Sequence, residues 1–124
     1  MKIVAVDDEP MVLELYPALF SNYGFDIDTF DNAREALQFL KENSVDAVIS
    51  DIDMPSCNGI EFFKQTKKEK LEIGIVIFIT GKWEEEYCYL FKEGLDRVFK
   101  KPISHFEVAE YLKRKHEKGL KTSS

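Results

Sequence analysis

Four apolar runs in the sequence each end beside a polar residue that could take part in chemistry. Asp7 and Asp8 follow IVAV, Asp51 follows AVIS, Thr80 follows IGIVIFI, and Lys101 follows RVFK. Continuous Val and Ile runs are typical of parallel strands that are buried on both faces, and open parallel sheets bind ligands beyond the carboxyl ends of their strands. The sequence therefore predicts that these five residues form one site at one edge of a sheet.

The three carboxylates of this predicted site need a positive charge among them. Two like charges about 4 Å apart repel by roughly 4 kcal/mol at an effective dielectric constant of about 20. Lys101 supplies one positive charge, but a hard divalent cation fits three carboxylates better. Mg²⁺ binds oxygen ligands octahedrally and keeps coordination positions for water and phosphate oxygens. We therefore expect the site to hold Mg²⁺ together with a phosphoryl group.

Asp51 is the residue that we expect to be modified. A carboxylate at a strand end, flanked by a metal ion and a lysine, can attack phosphorus as a nucleophile and form an acyl phosphate. The metal ion, Lys101 and the hydroxyl of Thr80 would then stabilise the equatorial oxygens of the transferring group.

The composition is that of one ordinary domain. The 124 residues are 44% hydrophobic, and the net charge of −6 with a pI near 5.0 opposes direct binding to nucleic acid. Cys57 and Cys88 form no CxxC pair and are expected to be reduced thiols. No apolar run approaches the roughly 18 residues of a membrane span, and the first predicted strand begins at Lys2, which leaves no room for a targeting segment. We expect a cytoplasmic protein with no membrane partner.

Strand-like runs alternate with helical patterns five times along the chain. Such alternation predicts an α/β fold with a doubly wound parallel sheet and helices on both of its faces. The predicted strands are 2–6, 25–30, 46–50, 73–79 and 96–99. The predicted helices are 10–23, 32–42, 58–69, 83–93 and 103–118.

The last predicted helix has an apolar stripe and two histidines. Phe106, Ala109 and Leu112 are expected to face the sheet. His105 and His116 are three helical turns apart, too far to share one metal ion, and we expect both on the surface.

Four motifs together resemble the receiver domain of two-component response regulators, of the chemotaxis-receiver kind. They are VDDEP at 6–10, DIDMPSCNG at 51–59, IT at 79–80 and KP at 101–102. Each motif is weak alone, but their order and spacing are highly specific, and the resemblance covers the whole chain. It implies a flavodoxin-like (βα)5 fold with five strands in the order 2-1-3-4-5. We expect a receiver domain at 1–119, a frayed tail at 120–124 and no output domain.

The resemblance also implies how the acidic residues act. Asp51 would accept a phosphoryl group from a phosphohistidine on a histidine kinase or a histidine phosphotransfer protein. Asp8 and Asp51 would bind Mg²⁺ directly, and the backbone carbonyl of Asp53 would be a further ligand. Asp7 would act mostly through water.

The remaining residues of the motifs have implied roles as well. Thr80 and Lys101 would bind phosphoryl oxygens, Pro102 would follow a cis peptide bond, and Gly59 would permit the turn into the third helix. Such a domain is no enzyme beyond promoting its own phosphotransfer and dephosphorylation. It would signal to a downstream protein through the face formed by the fourth helix, the fifth strand and the fifth helix.

One position departs from the family pattern, and two others occupy places that tune dephosphorylation in the family. Val98 occupies the place where family members usually have a Tyr or Phe that turns inward on activation, and Phe99 should point to the opposite side of the strand. Val98 therefore cannot make the inward turn that an aromatic residue makes at this position in other family members. Asp53 and Lys82 occupy places that, in the family, tune how fast water removes the phosphate.

The segment between Thr80 and Gly94 is short for the family and unusually aromatic, so we expect an irregular or shifted fourth helix. Its aromatic residues are Trp83, Tyr87, Tyr89 and Phe91. Core filling beside the small Val98 is one interpretation of these side chains. A patch that binds a partner is the other.

Two alternative functions belong to other classes. VISDIDMP also resembles the nucleophile motif of haloacid dehalogenase-like phosphatases, but that family needs a second acidic pair after the lysine, and here the pair stands at 7–8. A receiver-like interaction module that is never phosphorylated is the other alternative. The complete set of five polar residues argues against it.

Overall fold

A computed structural model describes residues 1–54 and 58–123 of the chain. Five parallel strands form one sheet in the order β2-β1-β3-β4-β5, which confirms the predicted topology. The strands are β1 Lys2–Val6, β2 Asp26–Phe30, β3 Val45–Asp51, β4 Ile73–Thr80 and β5 Arg97–Lys100. Each strand boundary lies within one residue of the predicted one.

The helices connect the strands and cover both faces of the sheet. They are α1 Pro10–Phe20, α2 Ala33–Glu42, α3 Gly59–Lys68, α4 Tyr87–Lys92 and α5 His105–Ser123, and a 3-10 turn at Ser21–Tyr23 follows α1. α5 continues beyond its predicted end at residue 118. None of the helices within the described ranges is long and apolar enough to cross a membrane.

Strand β1 shows why its apolar residues are continuous. Side chains alternate between the two faces of a strand. Ile3 and Ala5 pack in the apolar cluster that includes residues of α1 and α5, whereas Val4 and Val6 pack in the cluster on the opposite face, with residues of α2 and α3. Both faces of this strand are thus core.

The inward face of α5 begins one residue earlier than predicted. Ala109 and Leu112 are buried as expected, but the expectation for Phe106 was wrong, because its side chain is 59% exposed. The buried positions of the helix between residues 105 and 119 are His105, Val108, Ala109 and Leu112. They follow the i, i+3, i+4, i+7 spacing of a single helical face, and Phe106 lies outside that face.

The fourth helix is short and starts late, which confirms the expected irregularity. It begins at Tyr87 instead of residue 83. The amides of Tyr87, Cys88 and Tyr89 donate hydrogen bonds to carbonyls three residues back, at distances of 3.0–3.2 Å. Hydrogen bonds of this span form a tight 3-10 turn. The helix therefore presents Tyr87 in its first turn, directly beside the end of β4.

Gly59 sits where the chain passes close to the end of β3. Its amide donates a hydrogen bond of 2.8 Å to the carbonyl of Ile52. A Cβ atom at this position would lie 2.5 Å from the carbonyl oxygen of Asp51 and 2.9 Å from the Cα of Ile52. Backbone atoms cannot rotate away as a side chain can, so the position requires glycine.

Gly59→Ala is therefore expected to lower the free energy of unfolding by about 1–3 kcal/mol, the usual cost of overpacking a core. Urea denaturation followed by circular dichroism measures this difference. Gly119→Ala is the matched control, because a Cβ there meets nothing within 4 Å. Equal midpoints for the two variants would contradict the argument from close approach.

Candidate functional site

The carboxyl ends of four strands bring the predicted residues together. Asp7 and Asp8 follow β1, Asp51 ends β3, Thr80 ends β4 and Lys101 follows β5. One carboxylate oxygen from each of the three aspartates lies within 4.8 Å of the others. The Nζ of Lys101 donates a hydrogen bond of 3.2 Å to Oδ2 of Asp51. The structure thus groups the carboxylates and the lysine as the sequence analysis expected.

Two of the three carboxylates are almost completely shielded from solvent. Asp7 and Asp51 are each 2% exposed, whereas Asp8 is half-buried. Backbone amides satisfy part of their hydrogen-bonding capacity. Oδ1 of Asp7 accepts from the amide of Glu9 at 2.9 Å, and Oδ1 of Asp51 accepts from the amide of Asp53 at 3.3 Å. The loops after β1 and β3 therefore fix the orientation of both side chains.

Burial makes it costly to ionise these carboxylates. It raises the pKa of Asp7 to about 6. The hydrogen bond from the amide of Glu9 lowers this pKa, whereas the negative charge of Asp51 raises it further. Burial likewise raises the pKa of Asp51, although the hydrogen bond and the charge of Lys101 oppose it. A cation among the three oxygens would favour the ionised forms and lower both pKa values.

Lys101 is the positive charge that the site already contains. Burial lowers its pKa, but the hydrogen bond and the attraction from Asp51 outweigh burial, so the net pKa is raised. Its side chain is 31% exposed, whereas that of Asp51 is 1% exposed. Lys101 therefore remains protonated and reaches from the rim of the site into its buried part. The peptide bond between Lys101 and Pro102 is cis.

The hydroxyl of Thr80 is engaged with the loop that follows β4. It donates a hydrogen bond of 3.0 Å to the carbonyl of Lys82 and accepts one of 3.2 Å from the amide of the same residue. The hydroxyl of Tyr87 donates to the same carbonyl at 3.5 Å. The side chains of Lys82 and Asp53 are exposed, and no ion pair joins them in the described part of the chain.

His105 is a component of the site region that the sequence analysis missed. We expected it on the surface, which was wrong, because it is 8% exposed and its ring packs edge-on against Tyr16 at 4.6 Å. Burial lowers the pKa of His105, although an interaction with the backbone of Val12 opposes this shift. The signal was present in the sequence, since His105 precedes Val108 and Ala109 by three and four residues on one helical face.

An open cavity of about 560 Å³ adjoins the buried carboxylates on the side of α1 and α5. It is lined by Asp7, Glu9, Val12, Leu15, Ile79, Lys101, Pro102, Ile103 and His105. The cavity gives solvent and solutes a route to the acidic cluster beside Lys101. A small anion or a side chain of another protein can therefore approach the cluster from this side.

Val98 and Phe99 point to opposite faces of β5, as predicted. Val98 packs in the cluster that includes Tyr87 and Leu90, whereas Phe99 packs edge-on against Tyr111 of α5. Tyr87 is 3% exposed, so core filling beside Val98 is confirmed for this residue. The other aromatic residues of the segment are exposed: Trp83 by 47%, Tyr89 by 71% and Phe91 by 39%.

Of the two cysteines, Cys88 lies in the described part of the chain. Cys88 is exposed and has a free thiol. Cys57 lies outside the described residues. The acidic cluster itself contains Asp7, Asp8 and Asp51, all of which are described.

Comparison with known proteins agrees with this geometry. The family model of the response regulator receiver domain matches residues 3–113. The response regulator SaeR of Staphylococcus aureus is 30% identical over 106 residues, which cover 86% of this chain and 46% of SaeR. The chain therefore spans less than half the length of this curated relative.

Solved structures share the fold over nearly the whole chain. The Francisella response regulator 1452 receiver domain has a TM-score of 0.84 at 24% identity and covers 95% of this chain and 98% of that one. The response regulator protein TrrA from Thermotoga maritima, in complex with Mg²⁺-BeF, has a TM-score of 0.75 at 32% identity, over 91% and 96% of the two chains. These similarities define the fold as a flavodoxin-like α/β fold. In this chain the acidic cluster lies at the carboxyl edge of the sheet.

The chain belongs to the response regulator receiver domain family of two-component signal transduction. It is thus a signalling domain. The alternative of a haloacid dehalogenase-like phosphatase is not supported, because the acidic pair follows β1 and the whole-chain match is to receiver domains.

The raised pKa of Asp7 has a consequence for stability. A carboxyl group with a pKa of about 6 in the folded chain and a usual value of 3.8 binds more protons when folded, between those two values. Stability therefore falls as the pH rises through that window, and the whole penalty is present at pH 7.

Asp7→Asn is expected to raise the free energy of unfolding in metal-free buffer by about 1–3 kcal/mol at pH 7 and by little near pH 4. Urea denaturation in the presence of a chelator, at both pH values, measures the difference. Asp26→Asn is the control, because that carboxylate is exposed on β2. A gain of the same size at both pH values would mean that ionisation is not its source.

Proposed function

We propose that this receiver domain is a phosphorylation-dependent switch in which Asp51 accepts a phosphoryl group from a phosphohistidine. The donor would be a histidine kinase or a histidine phosphotransfer protein. The observation that carries the proposal is the grouping of three carboxylates within 4.8 Å, with Lys101 3.2 Å from Asp51, at one edge of the sheet. A buried nucleophile beside a fixed positive charge suits transfer of an anionic group.

Mg²⁺ fits the donor atoms that the site offers. Asp8 and Asp51 would bind it directly, the backbone carbonyl of Asp53 would be a third protein ligand, and Asp7 would act through water. Hard oxygen donors and a negative cluster that is costly to bury favour this ion. When bound, the ion would neutralise charge on the phosphoryl oxygens. The solved relative TrrA was crystallised with Mg²⁺-BeF, which supports the same choice of metal.

The remaining chemistry belongs to side chains of this chain. A carboxylate oxygen of Asp51 would attack phosphorus while the bond between phosphorus and the donor imidazole breaks, and the electron pair of that bond would leave with the imidazole nitrogen. Lys101 would form an ion pair with one equatorial oxygen. Thr80 would donate its hydroxyl hydrogen to another, after exchanging its hydrogen bond with the carbonyl of Lys82.

The domain would act on other molecules through contacts with proteins. The face formed by α4, β5 and α5 would bind a downstream protein target, and the acidic composition disfavours direct binding to nucleic acid. We propose a cytoplasmic location, which is typical of response regulators. Residues 1–119 would form the receiver domain, and 120–124 would be its C-terminal tail. Pro102 and Gly59 would hold the backbone around the site.

Incubation with acetyl phosphate and Mg²⁺ is expected to add the mass of one phosphoryl group to the wild-type chain. Intact-mass spectrometry measures it, and Asp51→Asn should abolish the gain because the nucleophile is gone. Chelation of Mg²⁺ or Asp8→Asn should reduce it strongly. A wild-type chain that stays unmodified with the metal present would overturn the proposed function and favour an unphosphorylated interaction module.

The role of Lys101 can be tested against a substitution of the neighbouring lysine, Lys100. Lys101→Ala is expected to slow labelling, because the pair with Asp51 is lost. Lys100→Ala changes a neighbouring exposed lysine and should label at the wild-type rate. Equal rates for the two variants would remove Lys101 from the reaction.

Asp53 and Lys82 are proposed to tune the lifetime of the phosphorylated form. The carboxylate of Asp53 is exposed beside Asp51, where it can repel or orient the water that attacks phosphorus. Asp53→Asn is therefore expected to change the half-life of the phosphorylated chain, followed by intact mass after removal of the donor. Asp31→Asn, which removes an exposed carboxylate from another loop, should leave the decay unchanged. An unaltered decay curve for Asp53→Asn would exclude this role.

A further inference from the structure

Tyr87 connects the end of β4 with the surface of α4. Its ring is 3% exposed and packs among buried residues such as Phe78 and Leu90, together with the partly buried Val98. Its hydroxyl reaches the loop after Thr80, where it donates to the carbonyl of Lys82 at 3.5 Å. A buried tyrosine in this place has a polar end that a phenylalanine would lack.

The carbonyl of Lys82 is shared by two hydroxyl groups. Thr80 donates to it at 3.0 Å and Tyr87 at 3.5 Å, and a carbonyl oxygen has two lone pairs for two donors. Because both hydroxyls donate to this one oxygen, they lie next to each other. Any change in the partner of the Thr80 hydroxyl therefore alters the surroundings of the Tyr87 hydroxyl.

The ring of Tyr87 also contacts an exposed aromatic side chain. Trp83 packs edge-on against it, with 5.4 Å between ring centroids and an interplanar angle of 86°. Trp83 also stacks with Phe91, with 6.3 Å between ring centroids. Trp83 and Phe91 are 47% and 39% exposed. A continuous series of contacts thus runs from Thr80 through Tyr87 to two exposed rings.

Val98 leaves space for this arrangement. It faces the same side of β5 as the cluster that contains Tyr87, and its side chain is small. A large aromatic ring at this position would compete with Tyr87 for the volume beside Phe78. The aromatic residue next to the Thr80 hydroxyl is therefore supplied by α4.

We propose that Tyr87 is a positioning residue that couples the hydroxyl of Thr80 to the exposed pair Trp83 and Phe91. The inference rests on the proposed function, in which Thr80 turns to a phosphoryl oxygen. When the hydroxyl of Thr80 leaves the carbonyl of Lys82, the hydroxyl of Tyr87 alone of these two still donates to that carbonyl. The tyrosine then moves toward the vacated lone pair, and its ring carries Trp83 with it.

Trp83 is the single tryptophan of the sequence, so tryptophan emission reports on the surroundings of this one side chain. Acetyl phosphate with Mg²⁺ is expected to change the emission of the wild-type chain in proportion to the phosphorylated fraction, measured by intact mass on the same samples. Tyr87→Phe keeps the ring and removes the hydroxyl. It should be phosphorylated to the wild-type level and lose most of the fluorescence response.

Tyr89→Phe is the matched control, because it removes a hydroxyl from an exposed tyrosine two residues along the same helix. It should keep the full response. Hydrogen exchange of the wild-type chain gives a second test that needs no variant. Phosphorylation should change the protection of amides in 81–92 and leave 26–30 unchanged, whether or not Tyr87→Phe folds.

The readouts separate this inference from the proposed function. Absence of the mass gain in the wild-type chain overturns both. A mass gain with unchanged Trp83 emission and unchanged exchange in 81–92 overturns the coupling alone. So does a full fluorescence response in phosphorylated Tyr87→Phe. Loss of that response in Tyr87→Phe, with phosphorylation intact, supports the role of the hydroxyl.

Discussion

Burial of carboxylates at one edge of the sheet is the constraint on which this structure depends. Asp7 and Asp51 are nearly inaccessible to solvent, and Lys101 offsets part of their charge. Folding therefore disfavours the ionised forms of Asp7 and Asp51. An ion pair with a purely structural role would instead favour the ionised form of its carboxylate. Parallel topology makes this possible, because it delivers the ends of β1, β3, β4 and β5 to the same place while helices cover both faces.

Much of this architecture could be predicted from the sequence, for identifiable physical reasons. Strands that are buried on both faces are continuous runs of Val and Ile, so their ends, and the polar residues there, are easily located. The orientation of α5 was harder, because a rotation by one residue exchanges Phe106 for His105 on the inner face. Apolarity alone favoured the phenylalanine, although Val108, Ala109 and Leu112 fit a stripe that begins at the histidine.

The fourth helix shows a second limit of prediction from sequence. The small side chain of Val98 indicated that something unusual fills the space beside β5, and the aromatic segment after Thr80 indicated an irregular helix. Which ring would enter the core depended on where α4 begins, and that is set by the tight turn at Glu84, Glu85 and Glu86. Boundaries of short helices depend on tertiary packing more than on propensity. The contact of Tyr87 with the Thr80 loop could not be anticipated.

The placement of Lys101 after an edge strand ties the site to a part of the sheet that is paired on one side. β5 has four residues and pairs with β4 alone, in a register that ends at Thr80 and Lys100. The amide of Lys101 continues this ladder with a bond of 2.7 Å to Thr80. Edge elements open by local unfolding more readily than central ones. Each such excursion would withdraw the ammonium group from Asp51, so the local opening equilibrium of β5 would set the fraction of time that Lys101 and Asp51 are paired.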